Sequence, residues 1–330
     1  MKVWAELKGL VEEATGPSGL RAVLAGMEGL GLDVLREECW RLRLAVSGRE
    51  LRAFRPGRRF PAISITGGRC ELMCKYCRGR YLKGMIPAET PAKLWKVCSS
   101  LAEAGAEGVL ISGGYTREGV LPVRPFIPTI RAVVERLGLK VAVHPGLVDR
   151  ALAEELAAAG VEVAFCELVG DEGTMKEAMG LDKRPEDYLA SALALRDAGV
   201  PYLSPHVCIG IKGGELAGEL DALKMAKAVG ADVLVLIVFV PTRGTPYRGR
   251  EPPALADVSK LMALTRLMFP DAPVALGCMR PRSRPYRDQL DVIAVRLGLD
   301  RIALPARAAV EEARALGLEV SWHDICCGLP

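Results

Sequence analysis

From Ile63 onward, short β-branched runs alternate with amphipathic helical stretches, and this alternation constrains the fold more than any other feature. Strands joined through helices return in the same direction, so they pair in parallel, and a parallel sheet needs helices to cover it. The candidate strands are residues 62–66, 108–112, 140–144, 161–169, 202–211, 232–240, 273–277 and 301–304. That is the number that closes an α/β (β/α)8 TIM-type barrel, whose active site lies at the carboxyl ends of its strands. The intervening helices have readable stops at Gly105, Gly138, Gly160 and Gly199.

The barrel is expected over residues 61–305, between two extensions. Residues 1–60 show helical patterns near 3–14 and 17–30, then an expected hairpin of 41–45 and 50–54 joined by Ser47-Gly48. Residues 306–330 read as a helix over 306–316, a strand over 318–321 and a tail. No internal repeat is visible beyond the βα unit.

Half of the 330 residues are apolar and a quarter are charged, which excludes disordered, collagen-like and coiled-coil classes. The net charge of +4 is too near balance to imply a nucleic-acid or membrane partner. Arg55, Arg58 and Arg59, and Arg280, Arg282, Arg284 and Arg287, form two basic clusters, each an anion-facing set or a solvated surface. Glu6, Lys8, Glu12 and Glu13 interrupt the first helix, unlike a targeting segment, and the longest apolar run, 233–240, is too short to cross a bilayer. A cytoplasmic location is expected. The chain has no Asn and one Gln, Gln289, a depletion of thermolabile residues that fits a thermophile.

Ten cysteines remain to be explained. In a cytosolic chain such a number points to metal binding or catalysis before disulfides. The strongest local signal is Ser64-Ile-Thr-Gly-Gly-Arg-Cys70-Glu-Leu-Met-Cys74-Lys-Tyr-Cys77, three thiols in a loop after the first expected strand. Three thiolates can hold three irons of a four-iron cluster and leave the fourth open to a substrate. A structural zinc would want a fourth nearby ligand, and no further Cys or His follows before Cys98.

This loop resembles that of the radical S-adenosylmethionine (SAM) superfamily, including the aromatic Tyr76 before the last thiol. The resemblance implies a [4Fe-4S] cluster on Cys70, Cys74 and Cys77, with SAM chelated at the open iron. It also assigns Ser112, Gly113 and Gly114 to the methionyl end of SAM, Glu167 as a polar partner, and Gly210 and Ile211 to the adenine side. The acidic residue usual after the glycine pair is Tyr115 here.

The segments from Val207-Cys208 to Glu215 and Pro241-Thr-Arg-Gly-Thr-Pro246 resemble biotin synthase, a branch acting on small or carrier-bound aliphatic substrates. That enzyme has a cluster ligand on its third strand, where this chain offers Val141-Ala142-Val143-His144-Pro145 and no cysteine. Thiols elsewhere, at Cys39, Cys278, Cys326 and Cys327, make the chain most similar to the archaeal two-component lipoyl synthases. This resemblance implies a second [4Fe-4S] cluster consumed as a sulfur source, an octanoylated carrier protein or peptide as substrate, a second synthase subunit and a reductant protein. Neighbouring Cys326 and Cys327 cannot easily both bind one cluster, so one of them is spare, and His323 is close enough in sequence to replace one.

Period-two alternation puts Ser204, His206 and Cys208 inside the barrel and Val207 and Ile209 toward the helices. Cys208 there either touches substrate or packs. Cys166 and Glu167 should point oppositely, and Cys98, spaced three residues from Trp95 and Leu101, reads as core. His144 and His206 end near the barrel mouth, as interior histidines or substrate donors. The alternatives are another radical SAM branch, such as a methylornithine synthase-like isomerase or a hydrogenase-maturation enzyme, and a non-catalytic iron–sulfur electron carrier.

Overall fold

A computed structural model describes residues 2–330. Helices α1 (Lys2–Glu13), α2 (Gly16–Leu30) and α3 (Leu32–Ser47) lead into β1 (Glu50–Phe54). Then follow β2 (Ala62–Ser64), β3 (Ile86–Pro87), α4 (Pro91–Glu103), β4 (Gly108–Ser112), α5 (Ile127–Leu137), β5 (Lys140–Val143), α6 (Arg150–Ala158) and β6 (Val163–Glu167). The single turn α7 (Glu172–Thr174), α8 (Pro185–Asp197), β7 (Tyr202–Ile209), α9 (Glu219–Ala228), β8 (Leu234–Val238), α10 (Leu255–Met268) and β9 (Val274–Leu276) come next. The chain ends with α11 (Arg284–Arg296), β10 (Arg301–Ala303), α12 (Arg307–Ala315) and β11 (Glu319–His323). No helix among the described residues is long and apolar enough to cross a membrane.

All eleven strands form one parallel sheet in the order β11-β1-β10-β9-β8-β7-β6-β5-β4-β2-β3. The eight expected strands are β2 and β4 to β10, hydrogen-bonded as neighbours in chain order. The expected closure of eight strands is corrected to an open sheet. Its would-be seam is occupied on one side by β3, paired to β2, and on the other by β1 and β11, paired beyond β10.

The expected hairpin is also corrected. Residues 41–45 belong to α3, and 50–54 pair in parallel with β10 and β11. Arg41-Leu42-Arg43-Leu44 mimics strand alternation, but Leu35, Cys39 and Leu42 recur at helical spacing and are the buried face. Arg43 is buried and closes the α3–β1 turn, donating to the carbonyls of Gly48 at 2.5 Å and Glu50 at 2.6 Å.

Local rules set the remaining boundaries. Thr90 and Asp149 cap α4 and α6 by accepting the Lys93 and Leu152 N–H groups at 3.2 and 2.7 Å. Gly138 ends α5 at φ 65°, a conformation that costs other residues more. The main core lies between strands and helices and includes Val109, Ile111, Val141, Val143, Val207 and Ile209. Two smaller clusters fill the concave side: Phe54, Val233, Val235, Ala275, Ala303 and Cys327, and Phe60, Ala142, Val163, Phe165 and Leu329. Tail residue Ile325 packs against both.

Candidate functional site

The loop after β2 is held mainly through its backbone. The N–H of Glu71 donates to the Tyr115 carbonyl and that of Lys75 to the Ala178 carbonyl, both at 2.8 Å. Thr66 Oγ1 accepts the Gly114 N–H at 2.7 Å. A Cβ on Gly114 would stand 2.5 Å from Cys70 Cα and 2.6 Å from Cys70 Cβ, so only glycine lets the loop lie against the end of β4. At Gly113 a Cβ would come within 2.9 Å of Thr66 Oγ1, and Ser112 is buried with its carbonyl accepting the Ile65 N–H at 2.9 Å. Ser112, Gly113 and Gly114 therefore form the seat of the cysteine loop.

Cys74 is buried, and Cys70 and Cys77 are half-buried. The hydrogen bond between Cys74 and Cys77, with the Gly79 N–H reaching Cys77, pulls the Cys77 thiol below its usual range; the same bond and then burial push Cys74 up. Cys70 Cβ lies 3.7 Å from where a Gly79 Cβ would stand and the Gly79 N–H reaches Cys77, so Gly79 sits between the first and last thiols. Met73 and Arg78 turn the loop with φ of 47° and 46°, a region sparsely used by residues other than glycine. Among the described residues no three Cys, His, Asp or Glu side chains form a group able to hold a metal ion.

Near this loop a set of polar side chains gathers around the end of β6. Tyr76, Tyr115, His144, Glu167, His206 and Cys208 are enclosed by protein yet keep some accessible surface. Desolvation pushes the Glu167 carboxyl up to about 7; burial raises Tyr76, Tyr115 and Cys208, and the Cys77 hydrogen bond followed by burial raises Cys74, with Glu167 close enough to add to each. Cys166 points the other way, into the helix-side core. The rings of His144 and His206 are 5.7 Å apart and flank Phe165 at 6.4 and 5.3 Å. Burial lowers these imidazoles to about 3 and about 4. His206 Nδ1 contacts the Ser204 carbonyl at 2.9 Å, whereas His144 Nε2 is buried without a partner. At the end of β7, Gly210 has φ 74° and donates its N–H to Glu219 at 2.8 Å. Ile211 lines a narrow pocket there with Leu168, Cys208 and Lys212.

The C-terminal tail enters the concave side from the other end. Arg301 points inward from β10 and donates to the carbonyls of Cys327, at 3.2 Å, and Leu329. A Cβ on Gly328 would be 2.8 Å from Ser204 Oγ and 3.1 Å from the Phe165 ring. Cys327 donates to Cys326, which lowers the Cys326 thiol and raises that of Cys327. Burial raises the Cys278 thiol, and Cys326 is near enough to raise it further. Cys278 thus lies near Cys326 and Cys327, the first residue exposed, the second half-buried and the third buried.

Cys39 is not brought to them. It is wholly buried on α3, its thiol reaches the Ala263 carbonyl of α10 at 3.6 Å, and burial pushes it up to about 12. Cys98 is buried in α4. His323 stacks on Phe54 at 5.1 Å and bonds to Ser321, taken up by the β11 edge. Arg280 is buried and locked to Asp291 by bonds of 2.7 and 2.8 Å. Sequence reasoning passed over Arg301, Thr66 and Gly79; the signal for Arg301 was a charge two residues from Ala303, on the same inward face of a strand.

No family model matches the chain. Among curated proteins, it is 26% identical over 230 residues to the biotin synthase of Chlorobaculum tepidum, covering 63% of this chain and 64% of that enzyme's length. It is 25% identical over 283 residues to the biotin synthase of Synechococcus sp. strain WH7803, covering 79% and 84%. Among solved structures, methylornithine synthase superposes with a TM-score of 0.62 at 17% identity, covering 96% of this chain and 97% of that one, a likeness of fold. The chain is therefore distantly similar in sequence to biotin synthases and shares its fold with methylornithine synthase, and the sequence likeness supports the radical SAM superfamily read from its cysteine loop.

Proposed function

We propose that the protein is a radical SAM sulfurtransferase of lipoyl synthase type, inserting sulfur from a second iron–sulfur cluster into an octanoyl chain borne by a carrier protein or peptide. The observation that carries this reading is the C-terminal tail, which Arg301 anchors and which lies against Ser204 and Phe165, so that Cys326 and Cys327 are near enough to Cys278 to influence its thiol. Cys70, Cys74 and Cys77 would hold the first cluster, whose open iron binds SAM. Bound there, the pair supplies a carbon-centred radical strong enough to take hydrogen from a saturated carbon, beyond the reach of acid–base groups tuned near neutral pH.

The chain's own residues position and shield. Gly114 and Thr66 seat the cluster loop, and Gly79 N–H bonds the Cys77 sulfur. Glu167, Tyr76 and the Gly210-Ile211 turn border the space for SAM, where Glu167 can hold or release a proton near neutrality. The neutral imidazoles of His144 and His206 with Phe165 form an uncharged wall suited to an aliphatic chain. Cys326 and Cys278 would be ligands of the second cluster, and Cys327 the buried donor that acidifies Cys326.

Anaerobic iron and sulfide counting tests the proposal. Two clusters are expected in the wild type, one in Cys278→Ala/Cys326→Ala, and two in Cys39→Ala. A single cluster that both variants retain overturns sulfur donation. It would favour the second reading, a methylornithine synthase-like isomerase, supported by superposition over 96% of the chain. If reductant and SAM give no 5′-deoxyadenosine, the protein is an electron carrier instead.

A further inference from the structure

We infer that Tyr247 is a positioning residue that couples loading of the Cys70–Cys77 loop to ordering of the turn at 210–215, so that an adenosyl group binds more tightly once the loop holds its cluster. This rests on the radical SAM reading, in which the loop carries the cluster and the turn borders the adenine. The loop after β8, residues 239–254, touches both. Near its start, Tyr81 OH and Thr242 Oγ1 meet at 2.8 Å, and the Arg80 guanidinium lies where a Cβ on Gly244 would stand. Near its end it packs backbone to backbone on the turn: a Cβ on Gly210 would overlap Pro253, and one on Gly214 the Glu251 carbonyl.

Tyr247 joins the two ends. Its N–H donates to the Lys75 carbonyl at 3.3 Å and its hydroxyl to Glu177 Oε1 at 3.0 Å. Lys75 stands between Cys74 and Tyr76, and its own N–H is held by the carbonyl of Ala178, next to Glu177. The Tyr247 ring is buried, edge to face with Phe239 at 5.9 Å, and a Cβ on Gly213 would stand 3.5 Å from its Cε2 and Cζ. Arg250 lies over the ring at 5.8 Å and reaches Glu215 at 3.8 Å. One residue thus grips the middle of the thiol loop through its backbone and the adenine-side turn through its ring. Met73 and Arg78, on either side of Lys75, hold φ of 47° and 46°, which residues other than glycine keep only where their surroundings impose it. Three thiolates fixed on one cluster impose it. Without that constraint the loop favours relaxing, and the Lys75 carbonyl takes Tyr247 with it.

The probe is 5′-deoxyadenosine. It lacks the methionyl group that would chelate the open iron, so an effect of the cluster on its binding passes through the protein. Anaerobic equilibrium dialysis should show the loaded wild type binding it about tenfold more tightly than the metal-free chain, within the ordinary range of coupling between sites. In Tyr247→Leu, which removes ring and hydroxyl, the ratio should fall below about twofold at unchanged iron content, whereas Tyr247→Phe, which keeps the ring on Gly213, should retain about fivefold or more. By reciprocity, 5′-deoxyadenosine should slow iron release to a chelator in wild type and not in Tyr247→Leu. A second measurement needs no variant: hydrogen exchange of residues 210–217 in wild type should slow on cluster loading with no adenosyl compound present. An equal ratio in wild type and Tyr247→Leu overturns the inference. So does exchange at 210–217 that ignores loading, which decides the matter even if Tyr247→Leu fails to load. Iron uptake that Cys74→Ala leaves unchanged overturns the radical SAM reading, and the inference with it.

Discussion

The Cys70–Cys77 loop and the Cys278–Cys326 group are two thiol sites built in opposite ways. The first lies within eight consecutive residues and is held by backbone hydrogen bonds and one side-chain-free contact at Gly114. The second is assembled from a strand end and a tail 48 residues later, and buried Arg301 anchors the tail. A local site depends on the shape of its seat. A distributed one depends on tethers, so its geometry can be lost while the rest of the sheet stands.

The comparison breaks first at the seat. Gly114→Ala should force the loop off β4, removing the first cluster and lowering 5′-deoxyadenosine formation by about a hundredfold or more, as misplacement of reacting groups by an ångström does. Iron content per chain and product yield check it; normal loading would mean the loop is not held by this contact. Next is the tether. Arg301→Met leaves the Cys327 and Leu329 carbonyls unpaired, costing about 1–3 kcal/mol each. Residues 325–330 should lose hydrogen-exchange protection and the second cluster should be lost while the first remains. Loss of both clusters together would show that the two sites are coupled.

A smaller effect concerns the imidazoles between the sites. Unfolded histidines titrate near about 6.5, whereas His144 and His206 stay neutral in the fold down to about 3 and about 4. The unfolded chain therefore binds more protons below the ordinary value, and stability should be full above about pH 6.5 and decline as pH falls from there. Thermal melts of the apoprotein across pH should show this acid limb, flattened in His144→Phe/His206→Phe; an identical limb in the variant assigns it elsewhere. Smallest is Cys39→Ala, expected to cost about 1–2 kcal/mol by leaving a gap between α3 and α10, with no change in cluster content.

These differences track what could be read from the chain. The first loop was legible because its chemistry is contiguous, and the strands because a parallel sheet buried on both faces writes itself as apolar runs. Residues 41–45 were misread because Leu42 and Leu44 satisfy a strand period locally, whereas the deciding contacts, of Leu35, Cys39 and Leu42 with other helices, are tertiary. The eight strands suggested closure because nothing local reveals that β3, β1 and β11 take up the free edges. Cys39 looked like Cys326 in composition, since burial against Ala263 or closeness to Cys278 is a property of packing alone.

The placement of β1 between β10 and β11 sets an order of assembly. Glu50 pairs with Glu319 and Arg52 with Arg301, so a strand made early must wait for partners made roughly 250 residues later. During synthesis β1 has both ladder edges bare, and contacts of such long sequence separation form slowly. The thiol of Cys326 is delivered last, on the segment that follows β11. A chain that stops before that segment would keep its first thiol set and lack the second.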